Sequence, residues 1–418
     1  MTNEKPLARE SGFDHTFDAV REGYMFLLNR RKSFRTDVFD TRILGRRAVC
    51  LGGKDAAELF YNEERFVRSG AAPKRVLKTL FGQNGVQTLD DQAHKHRKQM
   101  FMSLMGKEQL ARLTDLSRSQ WELAAEAWEH AGEIELYDRA KQLLFRIACA
   151  WSGVPIWAKE VESHARDLGD MYEAPAVIGP KHRRGRQARK KMEAWAGSLI
   201  TGTREGKLKP APETALHVIA MHKDLNGSLL DVQTAAVELL NILRPVTAVA
   251  IYVNFTALAL IQHPEQKEGL LDGNTQAVRH FVQEVRRFYP FFPLAAARVR
   301  KDFVWRGHPF KKGTLALLDL YGTNHDPDLW DNPERFDPDR FTDWKGSPFS
   351  FIPQGGGDYW LDHRCPGEWM TIELMTVSVE FLAKRLAYEV PQQDLSHSMV
   401  NIPSMPKSRV VLRNIRRV

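Results

Sequence analysis

Residues 234–261 form the longest apolar region of the chain, and it is broken by Glu238, Asn241, Arg244, Pro245 and Asn254. Ionisable residues at membrane depth are costly, so this region reads as a buried helix rather than a membrane span. A helix apolar on nearly every side belongs in the interior of a large protein. The 418 residues, 43% hydrophobic and 27% charged, are enough to enclose one. The polar start MTNEKPLARESGFDHT does not have the pattern expected of a signal peptide or a membrane anchor. Only Cys50, Cys149 and Cys365 occur, too few for a disulfide framework. Cys50 and Cys149 sit in strand-like and helical apolar stretches and read as core residues. A cytoplasmic protein without a transmembrane segment is expected.

Short strands with a helix are expected over about 40–66, and a mainly helical pattern over about 72–290. Residues 296–318 alternate as short strands with Gly307 and Gly313 as turn signals. An irregular segment, 319–364, precedes a helix at about 366–387, and 388–418 read as short strands and turns. The expected fold is mostly α with a small β portion, in a single domain spanning 1–418. Long irregular segments inside compact domains are usually functional, and this one ends at Cys365.

Cys365 lies in FIPQGGGDYWLDHRCPGEWMTIELM (351–375), after a glycine-rich loop and at the start of an apolar-periodic helix. The positive end of the helix favours a thiolate. Pro366 suits the first helical position, and Gly367 lets backbone approach a flat partner closely. A lone cysteine makes a poor zinc site but a good single axial ligand for haem iron.

Upstream, Glu284 and Arg287 are three apart and share a helix face. In WDNPERFDPDRF (330–341), Arg340 offers a second cation to the same carboxylate. Glu284-x-x-Arg287, then Trp330…Arg340-Phe341, then Gly355…Cys365-Pro366-Gly367 resembles the order in the cytochromes P-450, over about 80 to 375. The resemblance implies the mostly helical fold of that superfamily, with haem b held by the Cys365 thiolate between the long central helix and the ligand loop. Two features depart from the usual pattern. Asp358 and His363 stand where a Phe and an Arg are usual before the cysteine, so the loop is lengthened. The central helix carries Arg244-Pro245 where oxygen-activating members carry an acid–alcohol pair. Pro245 removes a backbone donor and kinks the helix. A buried Arg244 demands an anion, either a distant acid of the fold or a substrate carboxylate held as a bidentate pair.

Arg-Pro together with the lengthened loop resembles the bacterial fatty-acid peroxygenases of the superfamily. That resemblance implies long-chain fatty acid and hydrogen peroxide as substrates, no obligatory redox partner, and Arg244 holding the carboxylate that serves as acid–base group. Anchoring the carboxylate near the iron implies hydroxylation at C2 or C3. Gln87 matches a position above the haem whose His form is associated with decarboxylation to terminal alkenes, so Gln leans towards hydroxylation. Phe81 matches an aromatic over the haem. Phe292 and Leu294 are expected to line the channel for the chain. Arg68, His94, Arg97, Lys98 and Arg298 lie where the superfamily places groups that meet the haem propionates. The alternatives are alkene formation as the main activity, a reductase-fed monooxygenase, which Arg244-Pro245 argues against, and a haem-binding sensor.

The formal charge is +8, and the densest basic run is KHRRGRQARKK (181–191). It reads as a solvated surface helix or as a positive field drawing anionic substrates or membrane surfaces. No nucleic-acid motif accompanies it.

Overall fold

The computed structural model describes residues 6–271 and 274–418. The apolar region folds as Val232–Ala248 and Ala250–Gln262, parted at Val249, and is buried almost throughout. By length and hydropathy this helix passes for a membrane span, yet 83% of its most apolar window is packed inside the protein. Asp231 caps its start by accepting from Thr234 N at 2.9 Å. Pro245 is accommodated within the first helix. The interruption falls four residues later, where Val249 N reaches Pro245 O and Val246 O, each at 3.2 Å.

Helices Lys107–Glu129, Leu136–Ser152, Val161–Glu173, Pro180–Arg204, Thr275–Phe288 and Glu368–Glu380 join this central helix in the largest apolar cluster. Leu136–Ser152 shows the pattern that drives this. Leu136, Ala140, Leu143, Leu144, Ile147 and Trp151 recur at three- and four-residue steps and are all buried.

A six-stranded sheet stands to one side, in the order Ala8–Arg9, Val38–Ile43, Arg46–Leu51, Leu315–Asp319, Leu294–Val299, Phe66–Val67. Its second and third strands form a hairpin whose register, Ile43 opposite Arg46, leaves Leu44-Gly45 as a two-residue turn. Both turn residues have positive φ, the conformation such a turn needs. The described chain is thus mostly helical with a small β portion, as expected. One strand inside the helical region escaped the sequence reading. Glu133–Glu135 pairs with Val411–Arg417, which in turn pairs with Leu386–Glu389.

The irregular segment is pinned at Glu284, which is fully buried. Its carboxylate accepts from Arg287 Nε at 2.7 Å and Nη2 at 2.8 Å, from Asp337 N at 2.8 Å and from Arg340 Nε at 3.2 Å. Arg287 Nη1 also donates to the carbonyls of Asn324 and Pro333. Trp330, Phe341 and Phe351 close a small apolar cluster beside it. The Glu–Arg–Arg constellation therefore fixes the path of the chain into the cysteine loop.

Candidate active site

Helix Glu368–Glu380 begins two residues later than Pro366 suggested, with Gly367 as its cap and Pro366 before it. Glu368 N bonds back to Cys365 O at 3.3 Å. A Cβ on Gly367 would meet only Cys365 Sγ, at 3.9 Å, so the glycine leaves one side of the sulfur bare. The thiol pKa is raised, chiefly by burial and then by the Glu368 carboxylate. The helix terminus favours the thiolate, but loss of water outweighs it here, and a coordinated metal is what deprotonates such a thiol.

Gln354 organises the proximal side. Its Nε2 lies 3.9 Å from Cys365 Sγ and 3.1 Å from Thr371 Oγ1. Its Oε1 accepts from Arg286 Nη2 at 2.9 Å. Arg286 and Arg364 each bond Glu368 at 2.6 Å, and Cys365 N donates to Gln354 O at 3.2 Å. The lengthened loop is buttressed by Lys98, which donates to the carbonyls of Asp362 and Arg364. His363 stacks on His94 with ring centroids 3.7 Å apart. Burial, with nearby cations, holds both imidazoles neutral, His94 with its pKa lowered to about 3.

On the central helix, Arg244 is 5% exposed. Among the described residues it has no carboxylate partner, and its one hydrogen bond goes to the Leu80 carbonyl. Burial, then the neighbouring Arg189, pushes its pKa down to about 9. A guanidinium so destabilised is an anion site waiting for its counter-charge. Leu80 and Phe81 end a π-helical turn, Leu77–Phe81, whose Phe81 packs against the main cluster.

Gln87 Oε1 accepts from Asn241 Nδ2 at 3.2 Å, and Asn241 is tied to Glu238 at 2.8 Å. The buried Glu238 also accepts from Val86 N at 2.9 Å and Arg97 Nη1 at 2.8 Å. Central helix and Gln87 turn are thus joined through one carboxylate.

The structure relocates other expected residues. Phe292 is 39% exposed, and Leu294 packs with the sheet-side cluster of Phe26, Phe39 and Leu317. Among the described residues the ring contact of Phe292 is with Phe291. The inward aromatic is Phe291, stacked on Tyr252 of the central helix at 4.3 Å. Arg97 donates to Glu238 through Nη1 while its Nε is buried without a hydrogen-bond partner among the described residues, and Arg298 donates to the carbonyls of Gly70 and Gly313 at 2.7 and 2.8 Å. Arg68 lies over the Phe60 ring at 4.2 Å. Arg68 Nη1 and His94 Nδ1 are buried without a hydrogen-bond partner among the described residues.

The cytochrome P450 family model matches residues 274–411. Over the whole fold, the chain is similar to cytochrome P450EX alpha, solved with myristic acid, at 50% identity and a TM-score of 0.96, covering 99% of this chain and 100% of that one. The chain belongs to the fatty-acid peroxygenase family of the cytochromes P450. Cytochrome P450SP alpha in complex with (R)-ibuprophen is similar at 42% identity and a TM-score of 0.95, covering 97% and 99%. Ligand-free cytochrome P450 OleT is similar at 36% identity and 0.96, covering 99% of each chain. This peroxygenase is accordingly a haem-thiolate oxidoreductase acting on fatty acids, and its cofactor is haem b. The residues present fit that group. Cys365 is the lone thiol facing a glycine with no side chain, and the orphaned Arg68 Nη1 and His94 Nδ1 are donors of the kind propionates require.

Proposed function

We propose that this peroxygenase uses hydrogen peroxide to hydroxylate long-chain fatty acids at C2 or C3, with Arg244 holding the substrate carboxylate. The observation that carries this reading is a buried guanidinium with only a backbone carbonyl to bond. A carboxylate arriving there gains a charge-assisted, bidentate partner and relieves an uncompensated buried charge. The myristic acid in the P450EX alpha structure, a carboxylic acid, supports a substrate of this class.

Cys365 would ligate the haem iron, with Gln354 Nε2 directed at the sulfur, and Arg68 and His94 would meet the propionates. When bound, the haem supplies the peroxide-activating, oxygen-transferring centre. Arg244 keeps the substrate carboxylate ionised and fixed. One carboxylate oxygen can then accept the proton from the first peroxide oxygen and return it to the second, so no acid–alcohol pair is needed on the central helix. Because the carboxyl carbon is anchored, C2 and C3 are the carbons held nearest the reacting centre. Gln87, held by Asn241, presents an amide that cannot exchange its proton as an imidazole does, which favours hydroxylation over alkene formation. Phe291, rather than Phe292, is the aromatic placed to flank the chain.

Purified holoenzyme, myristic acid and hydrogen peroxide, with products read by mass spectrometry, test this directly. Hydroxy acids are expected without any reductase, and Arg244→Ala should lower kcat/KM by about 100-fold or more. Undiminished turnover by Arg244→Ala, or activity that requires reduced nicotinamide and redox partners, would overturn the reading.

A further inference from the structure

The basic run lies in helix Pro180–Arg204, and its cations divide by face. Lys181, Arg184 and Lys191 face acids at the preceding helix: Glu173 at 3.1 Å, Asp170 at 3.9 Å and Asp167 at 2.5 Å. Arg183, Arg186 and Lys190 follow one another at three- and four-residue steps and share the other face. They are exposed, and among the described residues none of them is ion-paired. Across from them stands Lys78, exposed and equally unpaired among those residues. These four cations border one cavity of about 750 Å³.

The acid in its lining, Glu193, is already taken by Arg189 and by Gln233 Nε2, the latter at 2.6 Å. At the inner wall, buried Arg189 donates to the Leu80 carbonyl at 3.0 Å and to the Phe81 carbonyl at 3.4 Å. The same Leu80 carbonyl is the one that Arg244 holds. Arg189, its charge matched by Glu193, thus forms the wall between the exposed cations and Arg244, from which a single peptide oxygen separates it.

We propose that this cavity is an anion-capture vestibule. Lys78, Arg183, Arg186 and Lys190 gather the carboxylate of a long-chain fatty acid from solution, on the side of the Arg189 wall behind which Arg244 lies. The inference rests on the reading that Arg244 binds that carboxylate. The cavity's concave shape, walled by three segments of chain, fits a single headgroup better than a flat surface. A cleft lined by one sign of charge raises on-rates for the opposite charge, and salt weakens the effect.

The test is stopped-flow mixing of holoenzyme with myristate, following the haem absorbance change on binding. It compares the wild type with the triple variant Arg183→Gln/Arg186→Gln/Lys190→Gln, each at ionic strengths of about 0.01 M and about 1 M. Tetradecanol serves as the uncharged ligand of equal length. The wild-type association rate for myristate should fall about tenfold or more with salt. The variant should start slow and stay flat, tetradecanol should be indifferent to both changes, and kcat at saturating myristate should be unaltered. A wild-type rate indifferent to salt overturns the proposal without recourse to any variant. So does a triple variant with wild-type rate at low salt. Arg244→Ala, run alongside, separates the two ideas. Retained turnover there sinks the carboxylate-anchor reading, whereas its salt-sensitive binding phase reports on the vestibule alone.

Discussion

Removing the carboxylate of Glu238 should damage stability and product pattern together. The side chain is fully buried. It accepts three bonds, from Arg97 Nη1 and Asn241 Nδ2 at 2.8 Å and from Val86 N at 2.9 Å. In Glu238→Ala, Arg97 keeps only Asp224, at 3.4 Å and part-exposed, while the Val86 amide loses its partner. Breaking a buried pair so as to strand one charge costs about 3–5 kcal/mol. Glu238→Gln keeps an oxygen for Val86 or Asn241 and loses the charge, so about 1–3 kcal/mol is expected. Denaturant unfolding of the holoenzyme, followed by far-ultraviolet circular dichroism and extrapolated linearly, measures both. Because Asn241 and the Val86 turn also position Gln87, the proposed C2 and C3 hydroxylation predicts that the product ratio shifts in both variants. If Glu238→Ala loses less than about 1 kcal/mol, or matches Glu238→Gln, the carboxylate is not the joint between the central helix and the Gln87 turn.

Glu284→Ala strands Arg287 and Arg340 beside the irregular segment and should cost about 3–5 kcal/mol, read as a lowered denaturation midpoint with weakened haem retention. Burial, then Arg287, lowers the His325 pKa to about 3 against an ordinary value near 6.5. Between those two values the unfolded chain binds the extra proton, so stability rises with pH there; the contribution is complete above about 6.5 and is lost as the medium is acidified. His325→Asn should therefore flatten the acid limb of a stability-against-pH curve by on the order of 4 kcal/mol near pH 3, and an unchanged limb would refute the assignment. Gln354→Leu removes a side-chain N–H directed at Cys365 Sγ; the thiolate should become the stronger donor and the haem reduction potential should fall, measured by spectroelectrochemistry.

What could be read in advance depended on whether a residue's partner was implied by its own surroundings. Arg244 stands in an apolar helix with no acid beside it, so its need for an external anion was legible, and the structure finds it bonded to a carbonyl alone. Glu284 with Arg287 was legible because both lie on one helix turn. The opposite case is Glu238: the same argument, an ionisable group buried in an apolar helix, demanded a cation, yet nothing local says that Arg97, 141 residues away, supplies it. Arg97 meets that carboxylate through Nη1 alone, and its Nε stays buried without a partner among the described residues, a donor still open to a propionate. Phe291 and Phe292 fail for another reason. In extended chain adjacent side chains point to opposite sides, so a reading one residue out exchanges the half-buried ring for the exposed one, and FYPFFPL carries no alternation that tells the two apart. The basic run shows the limit most sharply. Its composition implied a positive field, but whether that field is idle depends on which cations find acids. Three do, on the face towards helix Val161–Glu173. The face left unmatched is the one that borders the Leu80 carbonyl and, behind it, Arg244.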